Sequence, residues 1–103
     1  MILFVRQAKY RVGKGEAALN WAKKVTDYIN KTFPDNKVSS YSNRFGFVSA
    51  IFWTVKFNDL LTLDKWQNDL GKDNGYIDLV KQVWNEEVFV DGSFEDSVLV
   101  SIN

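Results

Sequence analysis

Histidine and cysteine are both absent from the 103 residues of this chain. Without them no Cys or Ser nucleophile can be set against an imidazole base. No Cys/His zinc site, haem ligand or iron–sulfur ligand set can be assembled either. No apolar run comes near the ~20 residues that a membrane span needs. The opening Met1-Ile2-Leu3-Phe4-Val5 meets Arg6 at once, with no basic flank before it and no small-residue cleavage site after it. These absences give the expectation of a cytoplasmic protein that engages no membrane and uses no metal and no cofactor. They also leave no catalytic residue to single out, and the chain is read neither as an enzyme nor as a non-enzyme on this ground.

What is present is apolar bulk. Hydrophobic residues make up 46% of the chain, with 4 Trp, 4 Tyr and 8 Phe. A ring of this kind buries about 150–250 Å², so there is more apolar surface than one small core easily hides. The length predicts a single domain, 1–103, with a core that needs no disulfide or metal. Net charge is zero, but residues 1–56 carry ten Lys/Arg and three Asp/Glu, and residues 57–103 carry three and ten. Segregated charge sets association more often than chemistry. The two halves are therefore expected to face each other, within a subunit or across a dimer; a basic face for an anionic ligand is the other reading.

Ile2–Val12 is rich in β-formers and ends at Gly13-Lys14-Gly15, a strand and a turn. In 16–33, Ala18, Trp21, Ala22, Val25, Tyr28, Ile29 and Phe33 recur at helical spacing, with Lys23, Lys24, Asp27 and Asn30 opposite. Pro34 stops that helix. Lys37–Phe45 alternates as a second strand, Gly46 permits a turn, and Phe47–Phe57 is the strongest strand. Asn58-Asp59 offers an N-cap. Leu60, Leu63, Trp66 and Leu70 stripe the next helix, Gly71–Gly75 interrupts it, and Tyr76–Val88 resumes helically. Asp91-Gly92 turns into a last strand, Ser97–Ile102. The order β-α-β-β-α-(α)-β predicts an α+β fold of ferredoxin-like type, a split βαβ with the second helix broken in two and a four-stranded antiparallel sheet.

In that topology the helices lie on one face of the sheet. A wetted second face would make the strands alternate apolar and polar. The third strand instead holds Phe47, Ile51, Trp53, Val55 and Phe57 on one parity and Val48, Ala50 and Phe52 on the other. The first sets Phe4, Ala8 and Tyr10 against Leu3 and Val5. Both faces are thus expected to be covered, the second by another copy of the chain under twofold symmetry. On this reading a charge placed at Ile51 or Trp53 weakens association and stability together.

The segment from Phe52 to Trp84, FWTVKFNDLLTLDKWQNDLGKDNGYIDLVKQVW, resembles the back half of the dimeric α+β barrel proteins. A long third strand runs into an aromatic–polar–Asp step, here Phe57-Asn58-Asp59. A helix with Leu63 and Lys65-Trp66 follows, then a break and a second helix, Tyr76–Trp84. The likeness is nearest to the NIPSNAP-like and antibiotic-biosynthesis-monooxygenase-like branches. It implies a homodimer whose paired sheets form a barrel, often with a small pocket between sheet and helices in each subunit. Some members of that superfamily are cofactor-independent monooxygenases acting on polycyclic aromatic substrates, some degrade haem, and many have no known activity. Haem degradation there relies on an axial histidine, which this chain lacks.

A cofactor-free oxygenase would hold an electron-rich substrate and stabilise a developing anion. Arg6, Tyr10, Tyr41, Asn43, Arg44, Trp53 and Trp66 are the candidate ligand-binding residues. Each also has a packing role available. Trp53 and Trp66 fall where a core expects apolar residues, Tyr10 and Tyr41 can cap the sheet edge, and Arg44 sits in a turn. Arg6 stands out, because a charge among apolar strand residues needs a partner; an acid from the C-terminal half would serve. If the pocket is catalytic, at least two of Arg6, Tyr10, Tyr41 and Asn43 should line it and it should be open to solvent.

An RNA-recognition motif shares this topology, and Asn43-Arg44-Phe45-Gly46-Phe47-Val48-Ser49-Ala50 echoes the centre of its third-strand hallmark. Asn43, Arg44 and Ala50 break the pattern, and neutral net charge weakens phosphate binding, so nucleic acid is not the expected partner. Gly13-Lys14-Gly15 lacks the spacing of a phosphate-binding loop. Glu86-Glu87 and Glu95-Asp96 read as solvated acids at a helix end and in a loop. The reading reached is a homodimeric binding or assembly module with a small apolar or aromatic ligand. A cofactor-independent monooxygenase acting on an aromatic or polyketide-like substrate is the alternative, and an RNA-binding module is more distant.

Overall fold

Side-chain parity along two strands decides where the helices go. Ile2, Phe4 and Ala8 on one strand and Ile51, Trp53, Val55 and Phe57 on its neighbour are all buried. In the computed structural model, which describes residues 1–45 and 49–103, these belong to β1 (Ile2–Lys9) and β3 (Ala50–Phe57). The remaining elements are α1 (Gly15–Thr32), β2 (Val38–Ser42), α2 (Leu60–Gly71), α3 (Asn74–Asn85) and β4 (Glu95–Val100). The strands lie in the order β2-β3-β1-β4, every neighbouring pair antiparallel. This is the ferredoxin-like arrangement, with β1 and β3 central and the second helix divided into α2 and α3.

Helix α1 turns Ala18, Trp21, Ala22, Val25 and Ile29 into the core. Asn30, expected among its solvent-facing residues, is half-buried instead. Its amide donates to the Val38 carbonyl at 2.9 Å and accepts from the Val38 N–H at 2.7 Å, which ties α1 to the edge strand β2. Among the described residues, no helix is long and apolar enough to cross a membrane.

Several element ends differ from expectation, each for a local reason. β1 stops at Lys9 rather than Val12. Tyr10 keeps a single bridge to Phe89, and Gly13 then takes a left-handed φ of 82°. β2 is shorter than Lys37–Phe45, ending at Ser42. The expected start of β3 at Phe47, its partner Val48 and the turn at Gly46 lie outside the described residues. α3 ends at Asn85 instead of running to Val88, because Glu87 adopts a left-handed φ of 52°. That reversal carries Val88 and Phe89 into the core. β4 begins at Glu95, not Ser97, because β1 offers partners to its two acids; Arg6 faces Asp96 and Gln7 faces Glu95.

The face without helices is mixed rather than wholly apolar. By parity it carries Leu3, Val5 and Phe52, all half-buried, with Tyr41 and Leu99 more exposed. Gln7, Thr54, Lys56, Ser97 and Glu95 stand among them. Ile51 and Trp53 lie on the opposite, helix-covered side. A charge at either would therefore break the core and would not report on association through the bare face.

Capping carboxylates open α2 and, at the break that follows it, α3. Asp59 accepts from the Thr62 N–H at 2.8 Å and from its hydroxyl at 2.7 Å. Asp73 accepts from the Tyr76 N–H at 2.9 Å, and the Tyr28 hydroxyl of α1 donates to the same carboxylate. The Tyr28 hydrogen bond, reinforced by the Tyr76 N–H, holds the Asp73 pKa below its ordinary value of 3.8. The same bond raises the Tyr28 phenol above its own ordinary value. Gly75 sits directly under Tyr28, and a methyl group there would overlap the phenol oxygen.

Two outcomes are expected. Gly75→Ala in an exposed helix would gain about 1 kcal/mol. Here it must push Tyr28 off Asp73, and overpacking of this kind costs about 1–3 kcal/mol. Urea unfolding should therefore show a net loss of stability. Asp73→Asn should melt below the wild type near pH 6. A depressed carboxylate pKa stabilises the fold above the ordinary value and ceases to do so as pH falls through the folded one. The gap between the two melting temperatures should accordingly shrink below about pH 3.8, as followed by circular dichroism.

Candidate functional site

Large rings on both layers keep the helices from closing fully onto the sheet. Trp21 of α1 meets Trp53 of β3 edge to face at 6.0 Å and Phe89 at 5.7 Å. Phe94 packs on Phe89 at 5.3 Å and stacks parallel to Trp53 at 6.4 Å. A second group forms where Trp66 of α2 meets Phe57 at 5.4 Å and Phe4 at 6.2 Å. Pairs in this geometry contribute about 0.5–1.5 kcal/mol each beyond their burial. Both groups contribute to the wall of a cavity of about 290 Å³.

The sheet supplies the floor, with Phe4 and Arg6 from β1, Trp53 and Val55 from β3, and Val38 from β2. Trp21, Val25 and Ile29 come from α1, and Trp66 and Leu70 from α2. Helix α3 closes the space with Tyr76, Val80, Val83 and Trp84, and Phe94 completes it. The wall is almost wholly apolar, as ligand sites usually are.

Its polar groups are few. Arg6 shares the parity of Phe4 and Ala8, so it projects to the helix side of β1. Its Nε and Nη2 donate to the two oxygens of Asp96 at 2.7 and 2.9 Å. That hydrogen-bonded carboxylate, with Tyr76 beside it, outweighs burial and raises the Arg6 pKa above its ordinary value. The acid expected from the C-terminal half is thus Asp96, directly opposite in the β1–β4 register. Arg11 and Asp91 make a second, looser ion pair at 3.3 Å between the same two halves. The segregated charges of the sequence meet, in these pairs, inside one chain.

The Trp21 indole N–H donates to the Leu79 carbonyl at 2.9 Å. The Nε1 groups of Trp53 and Trp66 are buried and have no hydrogen-bond partner. A buried donor left unmade costs about 1–3 kcal/mol, and both atoms are closed off from the space that their rings help to line.

Of the seven residues singled out from the sequence, the structure brings together Arg6, Trp53 and Trp66. Tyr10 packs on the outer edge of the core and against the start of α1 at Gly15. Tyr41 and Arg44 are exposed, and Asn43 is half-buried beside the start of β3, where its N–H donates to the Ala50 carbonyl at 3.2 Å. None of these four lines the cavity. Sequence reasoning missed Trp21, Tyr76, Trp84 and Phe94 as lining residues, and it placed Glu95-Asp96 in a solvated loop. Helical spacing marked Trp21, Tyr76 and Trp84 as inward-facing, but nothing in the sequence separates a core position from a cavity wall. Among the described residues, no three His, Cys, Asp or Glu side chains gather as a metal site requires.

No known family profile matches the sequence, and no curated protein matches it. Solved structures do match its fold. A NIPSNAP family protein of Agrobacterium tumefaciens superposes with a TM-score of 0.80 at 16% identity, covering 99% of this chain and 93% of its own. The fold is that of the NIPSNAP proteins. An uncharacterised NIPSNAP domain protein of Burkholderia xenovorans gives a TM-score of 0.80 at 13% identity over 98% of this chain and 94% of its own. A protein described as an antibiotic biosynthesis monooxygenase is similar at 0.70 and 8% identity, with both chains covered completely. At such identities the NIPSNAP likeness is one of architecture, as is that to the monooxygenase.

The two ion pairs should separate in mutational cost. Asp96→Ala removes a bidentate partner from Arg6 and is expected to lower stability by about 1 kcal/mol. Asp91→Ala removes a single contact made by an exposed carboxylate to the half-buried Arg11 and should cost less than about 0.5 kcal/mol. Chemical denaturation of the two variants measures both.

Proposed function

We propose that this protein is a homodimeric binding module that holds a small, mostly apolar ligand between sheet and helices. The observation that carries the reading is the cavity of about 290 Å³, with Arg6, Trp53 and Trp66 on its wall. An engineered apolar cavity of roughly half that size binds benzene, so a bicyclic aromatic or a comparable alicyclic molecule is a natural occupant. Charge balance by Asp96 allows Arg6 to stand at an apolar site without opposing such a ligand.

The dimer reading rests on the other face. Helices α1, α2 and α3 cover one side of the sheet, and Leu3, Val5 and Phe52 remain on the uncovered side. A second copy laid across them by a twofold axis would bury the same patch twice. The gaps filled by Thr54, Gln7 and Ser97 suit a contact that also has hydrogen bonds to make.

The monooxygenase reading draws less support. Of Arg6, Tyr10, Tyr41 and Asn43, Arg6 alone lines the cavity. The RNA reading shares the topology, but of its third-strand stretch Asn43 to Ala50 the central Gly46, Phe47 and Val48 lie outside the described residues, and Asn43, Arg44 and Ala50 break the pattern.

Native mass spectrometry of protein purified from its own host tests both parts of the proposal. The expected mass is twice the 11.9 kDa of one chain, plus a retained small molecule. Phe52→Lys should shift the mass to a single chain while far-UV circular dichroism stays unchanged. A wild type that runs as a bare single chain would contradict the proposal. A Phe52→Lys variant that still pairs would move the interface to another surface.

A further inference from the structure

We infer that the cavity opens between α3 and β4 and takes its ligand lengthwise, so that it suits molecules with an apolar body and a single polar group at one end, that group staying in water at the opening. This rests on the reading of the cavity as a ligand site and adds the class of ligand and its direction. The helix layer does not reach the last strand. By register with Phe4 and Ile2, Val98 and Val100 point to the helix side of the sheet, yet they are 42% and 65% exposed. On α3, Tyr76, Val80 and Trp84 follow one another at four-residue steps along one face, and all three line the cavity. Trp84 is nevertheless 45% exposed, and its ring meets Phe94, which leads into β4, at 5.9 Å. At the other end of the stripe Tyr76 stands beside Arg6, which Asp96 of β4 holds. The α3 stripe and the start of β4 are thus the two lips of one opening.

Polarity runs in the same direction. Apart from the indoles, Arg6 and Tyr76 are the lining residues with polar side chains, and both stand at this opening. The far wall is Val25 and Ile29 of α1, Val38 of β2, Val55 of β3 and Leu70 of α2, each of them buried. From β1 to β2 the floor crosses two strand spacings of about 4.8 Å each, a depth that accepts a bicyclic ring end-on. A hydroxyl carried to the far wall would leave water and meet aliphatic side chains alone, which is costly. The same hydroxyl at the opening stays hydrated. The direction of binding therefore follows from burial and needs no hydrogen bond from the wall.

Three naphthalenes of nearly equal size provide the probes: dimethylnaphthalene with a methyl group at each end of its long axis, and its analogues with one or both methyl groups replaced by hydroxymethyl. Titration calorimetry on the wild-type protein should find the hydrocarbon and the single alcohol within about threefold of each other, because the one hydroxyl stays in water. The diol must bury a hydroxyl at the far wall and should bind at least about fivefold more weakly than the single alcohol. In the complex with the single alcohol, intermolecular Overhauser contacts should join its hydroxymethyl protons to Tyr76 or Trp84 and its methyl protons to Val38 or Ile29. Trp84→Ala removes part of one lip and should speed dissociation of the single alcohol at least about threefold, with far-UV circular dichroism unchanged. If that variant fails to fold, the Overhauser contacts in the wild type still decide. A diol as tight as the single alcohol, or contacts in the reverse direction, would overturn the direction and leave the ligand site standing. A single alcohol weakened as much as the diol would do the same, and so would unchanged dissociation from a folded Trp84→Ala variant. Failure of all three to bind would overturn the ligand site and this inference together.

Discussion

Arg6 stands on a central strand between Phe4 and Ala8, on the side of the sheet that the helices cover. A guanidinium cannot be left unpaired in such a place, and the solution adopted here reaches well beyond one side chain. Asp96 lies directly opposite, so the pairing of β4 with β1 carries the ion pair within its register. A slip of one residue would turn the carboxylate to the far face and strand the charge. The last strand is thereby held at one setting by an interaction that ordinary strand pairing would not enforce. Every residue of that strand is exposed in the isolated chain, so apolar burial does little to fix it.

The aromatic layer supplies the complementary half of the design. Edge-to-face rings pack well in pairs but tile space less evenly than branched aliphatics. Two ring groups, one around Trp21, Trp53 and Phe94 and one around Trp66, Phe57 and Phe4, leave the cavity with a share in each. A core of Leu and Val would have filled that space at native packing density. Two buried indole donors, those of Trp53 and Trp66, are left without partners in this layer.

Much of the architecture was readable in the residues themselves. The spacing of Ala18, Trp21, Ala22, Val25 and Ile29 gave α1, and the order β-α-β-β-α-(α)-β with its broken second helix pointed to the ferredoxin-like arrangement. Arg6 announced its need for an acid, but not which one. Asp96 could not be named, because register between β1 and β4 is a long-range property and Glu95-Asp96 look like any exposed pair. The same limit hid Asn30, whose helical position suggests solvent although its amide serves an edge strand. Boundaries went astray where a single backbone setting decided them, as at Glu87, a residue with no sequence preference for a left-handed conformation. The cavity was least visible of all. Its wall is built from residues such as Trp53 and Val83 that satisfy every requirement of an ordinary core.

The meeting of Tyr28 with Asp73 above Gly75 has a consequence for how this fold can vary. The phenol occupies the room that a side chain on α3 would need, so the empty position on one helix and the ring on another form a single steric unit. Chains of this architecture that carry a methyl or anything larger at the glycine must carry a smaller residue in place of the tyrosine. They then lose the phenol donor that steadies the capping carboxylate and have to secure the helix junction by other means. In a set of divergent relatives, those three positions should accordingly change in concert, marking the seam between α1 and α3 even where overall identity has faded.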